Sequence, residues 1–154
     1  MIIDKYWGRF FGDSADSATL VAYLDAKDKE ILEVSEIFAD LGIDKLAGNY
    51  TDARLDATVD GVDYHFDQVF PVIMDLSVLL LESKTTRRFN LARIGGAKDR
   101  NMRVDAGPKE NTQITTALKY FALMPEEHAI AEQFDEDDWY EIGNLCEEIR
   151  ASLD

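Results

Sequence analysis

Cysteine is nearly absent from this chain, and histidine is scarce: Cys146 is the only thiol, and His65 and His128 are the only imidazoles. One thiol excludes an internal disulfide and a cysteine-based zinc site, and it fits a reducing compartment. Proline occurs three times, and no repeat, low-complexity tract or linker interrupts the 154 residues. A single globular domain over 1–154 is therefore expected, able to bury about 70% of its unfolded surface without staples. No apolar run has bilayer length; the longest, 69–81, carries Pro71 and Asp75. Met1-Ile2-Ile3-Asp4-Lys5 lacks a basic segment leading into an apolar stretch, so no secretory signal is expected. The expectation is a cytoplasmic protein that engages no membrane.

Positive charge is the other shortage. Sixteen bases face 31 acids, for a net charge of −15. Such a surplus repels nucleic acid and anionic membranes and steers association with a basic partner. Solubility alone is the plainer use of it.

The sharpest local signal is Asp60-Gly61, set between runs that alternate apolar with polar, Arg54–Val59 and Val62–Asp67. A two-residue type I′ turn needs positive φ at both central positions, and Asp-Gly supplies it. The register follows. Val59 faces Val62, Ala57 faces Tyr64 and Leu55 faces Phe66 on a core side; Thr58–Asp63, Asp56–His65 and Arg54–Asp67 share a wet side. Behind the hairpin, Val69–Leu81 is apolar on nearly every side, which predicts a central helix with Pro71 in its first turn and Asp67 or Gln68 as cap. A buried strand is the rival, because periodicity cannot type such a run.

Tyr6, Trp7, Phe10 and Phe11, broken by Gly8 and Gly12, suggest a short strand or an aromatic lead-in to the core. A helix should follow the Asp13–Ser17 cluster on Leu20, Val21 and Leu24. A second should run from about Asp28 on Ile31, Val34, Ile37, Phe38 and Leu41 to Gly42, either separate or as a kinked continuation. Residues 84–109 hold half the bases against only Asp99 and Asp105, netting +6 where the remainder nets −21. Pairing with the protein's own acids is the expected duty of these bases. Phe89 and Leu91, then Met102 and Val104, predict a looser second hairpin around Gly95-Gly96. The last third is helical, with a cap at Asn111-Thr112, a break at Met124-Pro125, a helix on Ala129, Ile130 and Phe134, and a final helix capped by Asp135–Asp138. The sum is an α+β fold: one four-stranded, mainly antiparallel sheet packed with five or six helices.

Catalytic residues are not apparent. A nucleophile needs a base beside it, but neither histidine lies in a local motif, and Cys146 sits on the apolar stripe of a helix as a small buried thiol. His65 opposite Asp56 reads as a surface contact. Asp135–Asp138 lacks the spaced ligands and central glycine of an EF-hand loop, and consecutive acids at a helix start are explained by capping and dipole. Gly95-Gly96-Ala97-Lys98 lacks the closing Gly-Lys-Ser/Thr of a P-loop. No metal or cofactor is expected. The remaining feature is a surface: Asp135, Glu136, Asp137, Asp138, Trp139, Tyr140 and Glu141 set five acids beside two aromatics, the composition of an anchor with acidic complementarity. A core Trp139 with acids that merely cap is the competing reading. The second candidate is the hairpin's wet side, with Asp56, Asp63 and Asp67.

Tyr6-Trp7-Gly8, a capped helix ending Tyr23-Leu24, and Ser35-Glu36-Ile37-Phe38-Ala39-Asp40-Leu41-Gly42-Ile43 together resemble the N-terminal pattern of small acidic bacterial immunity proteins of polymorphic toxin and contact-dependent inhibition systems. The resemblance covers roughly the first 45 residues. It implies a protein that is not an enzyme and that neutralises a cognate, basic, nuclease-type toxin by binding it. Two other readings stand beside it. One is an acidic nucleic-acid mimic or regulatory adaptor that binds a host nucleic-acid-binding protein. The other is a small enzyme with a carboxylate-only site.

Overall fold

A helix apolar on every side must be surrounded, and Phe70–Thr86 is. In the computed structural model, which describes residues 1–154, Val72–Leu81 are all buried along this helix. The elements follow in the order α1 (Ile2–Tyr6), α2 (Ala15–Ala26), β1 (Ile31–Glu33), α3 (Val34–Leu41), β2 (Leu55–Val59), β3 (Val62–Phe66), α4 (Phe70–Thr86), β4 (Phe89–Asn90), β5 (Asn101–Asp105), α5 (Pro108–Leu123) and α6 (Glu136–Leu153). Helices α1, α2, α5 and α6 and strand β5 all contact α4, which settles the helix-or-strand question for 69–81. Its start differs from expectation. Val69 occupies the cap without a side-chain bond; the Asp67 and Gln68 side chains are turned to His65 and Gln133, and their N–H groups donate to the Asp16 carboxylate at 2.9 and 3.1 Å.

The hairpin has the expected register from Leu55↔Phe66 to Val59↔Val62, with Asp60 and Gly61 at φ 51° and 80°. Leu55, Tyr64 and Phe66 are buried, but Val62 at the tip is 47% exposed. The pairing stops at Leu55–Phe66, so Arg54 and Asp67 do not form a rung.

The expected four-stranded antiparallel sheet is not what forms. β2 and β3 pair only with each other, and a separate mixed sheet has the order β1-β5-β4. β1 runs parallel to β5, with Leu32 opposite Val104, while the second hairpin shrinks to the rungs Phe89↔Met102 and Asn90↔Asn101. The helix expected from Asp28 begins only at Val34. Ile31, Leu32 and Glu33 alternate exposed, buried, exposed, a period of two concealed inside a stripe that also satisfies helical spacing. Arg100 favours the break: its guanidinium binds the Leu24, Lys27 and Lys29 carbonyls at 3.1, 2.7 and 2.9 Å, which a continuous helix would have kept for itself.

Residues 2–6 are helical, not a strand, and Trp7 meets Phe11 in an isolated bridge. Ser14 and Ser17 form the capping box of α2. α5 begins at Pro108 behind Gly107, three residues before the expected cap, and 125–133 form short 3-10 turns in place of a helix. Forty-one buried apolar residues make one contiguous core.

Candidate functional site

The acidic run at the start of α6 divides along the helical period. Asp135 is the cap, its carboxylate accepting the Asp138 N–H at 2.9 Å. Glu136, Asp137 and Asp138 stand in the first turn, where the free N–H groups favour negative charge. Trp139 is half-buried, pinned by its indole N–H to the Ala131 carbonyl at 2.7 Å. Tyr140 turns outward and is 71% exposed. Glu141 turns the other way, to Arg9.

The exposed Tyr140 lies on a groove of about 390 Å³ between α5 and α6, with Leu123, Pro125, Glu126, Glu136 and Trp139 around it and one cation, Lys119, on its α5 wall. Leu123 is 67% exposed and Met124 40%, so the C-terminal end of α5 presents apolar surface beside the aromatic ring. Trp139 and Glu126 also border a second, shallower depression of about 300 Å³, with Asp52, Glu127 and Glu132. Residues 120–149 contain ten acids and no lysine or arginine. Three of the ten find cations elsewhere: Glu141 with Arg9, Glu147 with Arg150 and Glu148 with Lys5. The other seven, Glu126, Glu127, Glu132 and Asp135–Asp138, have no ion pair. On α3 the outcome is opposite. Lys27 bridges Glu36 and Asp40 at 2.9 Å each, and Lys29 also binds Glu36.

The basic segment does not cancel this surface, contrary to the expected pairing. Of its eight bases, only Arg93 reaches an acid outside the segment, Asp4, while Arg103 takes Asp105 within it. Lys98 and Arg100 instead satisfy carbonyls where the chain leaves α2, since the ends of a helix leave backbone acceptors free.

The hairpin's wet side is organised differently. His65 is clamped between Asp56, at 2.6 Å from Nδ1, and Asp67, at 2.7 Å from Nε2. Both carboxylates hold its pKa above the ordinary value, Asp56 the more strongly. Asp63 accepts the Thr58 hydroxyl at 2.6 Å. Asp67 borders a depression of about 430 Å³ together with Arg9, Phe134 and Ile142, which brings this one hairpin acid toward the α6 side. Asp56 and Asp63 stay exposed on the strands.

Groups that could do chemistry are otherwise occupied. The Cys146 thiol is buried and pushed far up by that burial. His128 packs against Phe70, Phe121 and Tyr120, donates from Nδ1 to the Met124 carbonyl at 3.0 Å, and is held below its ordinary value by burial. Asp16 and Asp75 are two buried carboxylates, but each accepts two structural hydrogen bonds. The exposure of Leu123 and Met124 and the three glutamates of 126–132 were not singled out from sequence. The signal that could have found them is the thirty-residue absence of any lysine or arginine.

A family model described as Immunity protein 68 matches residues 2–153. No curated protein and no solved structure matches the chain.

Proposed function

The chain belongs to the Immunity protein 68 family, and from that membership we propose that it binds and blocks a cognate toxin domain and converts no substrate. The toxin is basic and of the nuclease type, and the encounter takes place in the cytoplasm. The contact is made by the α5–α6 end, with Tyr140 and Leu123 as the desolvated anchors and Glu126, Glu136 and Asp137 as the acidic rim. Carboxylates there take the place of the substrate's phosphates.

One observation carries this reading: seven carboxylates without an ion pair lie with three exposed hydrophobic side chains, Leu123, Met124 and Tyr140, within residues 123–140. Like charges so concentrated repel one another, and a partner that brings cations relieves that repulsion on binding. An aromatic centre within a charged rim is how specific interfaces divide affinity from steering. The hairpin acids Asp56, Asp63 and Asp67 form a secondary contact, weaker because His65 already offsets two of them.

The test is co-purification with the toxin domain encoded beside this chain's gene, followed by association kinetics at low and high salt. A one-to-one complex is expected, with a rate that falls steeply as the Debye length shrinks from about 30 Å at 0.01 M to about 8 Å at 0.15 M salt. A salt-insensitive rate would remove the electrostatic half of the proposal. Capture of a housekeeping nucleic-acid enzyme in place of the toxin would favour the adaptor reading.

A further inference from the structure

A cluster of five bases, two of them free of structural duties, forms a surface of the opposite kind, and we propose that it is a binding site for a phosphate monoester. A cavity of about 580 Å³ lies where α4 ends and β1 meets β5. Its lining sets Arg87, Arg88, Arg100, Arg103 and Lys29 against Asp28 and Glu30. Five cations facing two anions is a local reversal on a chain of net charge −15.

Three of the five have structural work. Arg100 ties down carbonyls, Arg103 holds Asp105 and Lys29 holds Glu36. Arg87 and Arg88 have none: Arg87 bonds only through its N–H to Ser83, and Arg88 only through the carbonyl that accepts from Thr86. Both side chains are left free although Asp28 and Glu30 share the cavity.

Two further features mark the place. Arg87 closes α4 in the left-handed region, at φ 76° and ψ −10°, where glycine is the usual and least costly residue. Holding a non-glycine residue there costs free energy that binding through its side chain would offset. Asn101 is the second feature, because its oxygen accepts from Asn90 at 3.1 Å and its own amide hydrogens remain free.

The chemistry selects the ligand. Guanidinium forks match the paired oxygens of a phosphate. The volume exceeds a bare phosphate and is of the size that holds a small organic ligand, whose hydroxyl groups Asp28 and Glu30 can accept. A polynucleotide is disfavoured, since the surrounding negative charge opposes an extended polyanion. This site does not depend on toxin binding.

The experiment is titration of the full chain with AMP, inorganic phosphate and sulfate at constant ionic strength, followed by calorimetry and by backbone amide shifts. AMP should bind and shift the amides of Arg87, Arg88 and Asn101, and Arg88→Gln should weaken it by about tenfold or more. Arg87→Gly provides the discriminating variant: it relieves the backbone, so the melting temperature should rise while AMP affinity falls. Binding undiminished in both variants would overturn the site. Equal responses to AMP and inorganic phosphate would overturn the monoester assignment, and equal responses to AMP and sulfate would overturn phosphate selectivity.

Discussion

Ser17 donates its hydroxyl to the Asp75 carboxylate at 2.5 Å, joining α2 to the middle of α4 across the core. The other carboxylate oxygen accepts the Gly12 N–H at 2.7 Å. Burial pushes the Asp75 pKa up to about 7 from 3.8, against the pull of these two donors, and the nearby Asp16 adds to the rise. Between those two values the native state holds a proton that the unfolded chain has released. The site's contribution to stability is therefore complete below about pH 4 and declines as pH rises toward 7. Asp75→Asn keeps the shape and cannot ionise; its oxygen accepts from Gly12 while its amide N–H donates to the Ser17 hydroxyl, reversing that bond. Its urea midpoint, measured relative to wild type, should improve steadily from pH 4 to pH 7. A difference independent of pH would mean that Asp75 is charged throughout.

His65 titrates in the same sense, over a higher range of pH. Its pKa is raised, first by Asp56 and then by Asp67. Its contribution is present below the ordinary value of 6.5 and is lost as pH rises through the folded value. An imidazole titration followed by NMR should give a midpoint above 6.5 that drops on Asp56→Asn and drops less on Asp67→Asn. Equal midpoints in all three proteins would show that the two carboxylates do not hold the ring in solution.

The hairpin's register was legible because Asp60-Gly61 fixes its turn and the turn fixes the register, but its extent was not: the Arg54–Asp67 rung is missing and Val62 is exposed. The burial of Val69–Leu81 was legible because the run is so uniformly apolar, whereas its helical form was only favoured over a buried strand, by Pro71 at its start. β1 was not legible. Ile31 and Val34 fit a helical stripe, and only the pairing of Leu32 with Val104, 72 residues away, shows that the segment is extended. Long-range pairing of this kind leaves no local mark. The α6 acids were visible as a cluster, but their partners were not: Arg9 and Lys5 come from the first ten residues. Which acids stay unpaired is a property of the assembled fold.

Gly12 carries two separate demands. Its φ is +76°, and a Cβ added there would run into the Trp7 indole. Gly48, at φ +82°, has nothing nearby for a Cβ to meet. Gly48→Ala should therefore cost about 1–2 kcal/mol for the left-handed backbone alone. Gly12→Ala should cost about 2–5 kcal/mol, with overpacking added to strain, because the indole is rigid and Gly12 is tied to Asp75. Chemical denaturation of the two variants measures the difference directly. Similar losses would mean that the Trp7 ring moves aside freely.

The acidic end of the molecule allows anchors and steering to be separated. Tyr140 and Leu123 are each about two-thirds exposed or more in the free protein, at 71% and 67%, so removing them leaves the core intact and should change stability by less than about 0.5 kcal/mol. A desolvated tyrosine at the centre of an interface contributes on the order of 2 kcal/mol, so Tyr140→Ala should weaken the toxin complex about thirtyfold, almost wholly through faster dissociation. Glu126→Gln with Asp137→Gln lies on the rim and should instead slow association and flatten its salt dependence. Asp56→Asn with Asp63→Asn, on the secondary hairpin contact, should speed dissociation by far less than Tyr140→Ala does. Surface plasmon resonance of the three variants separates the two faces. Dissociation that responds to the hairpin pair and ignores Tyr140 would move the anchor to the strands, and the α5–α6 groove would lose its assignment.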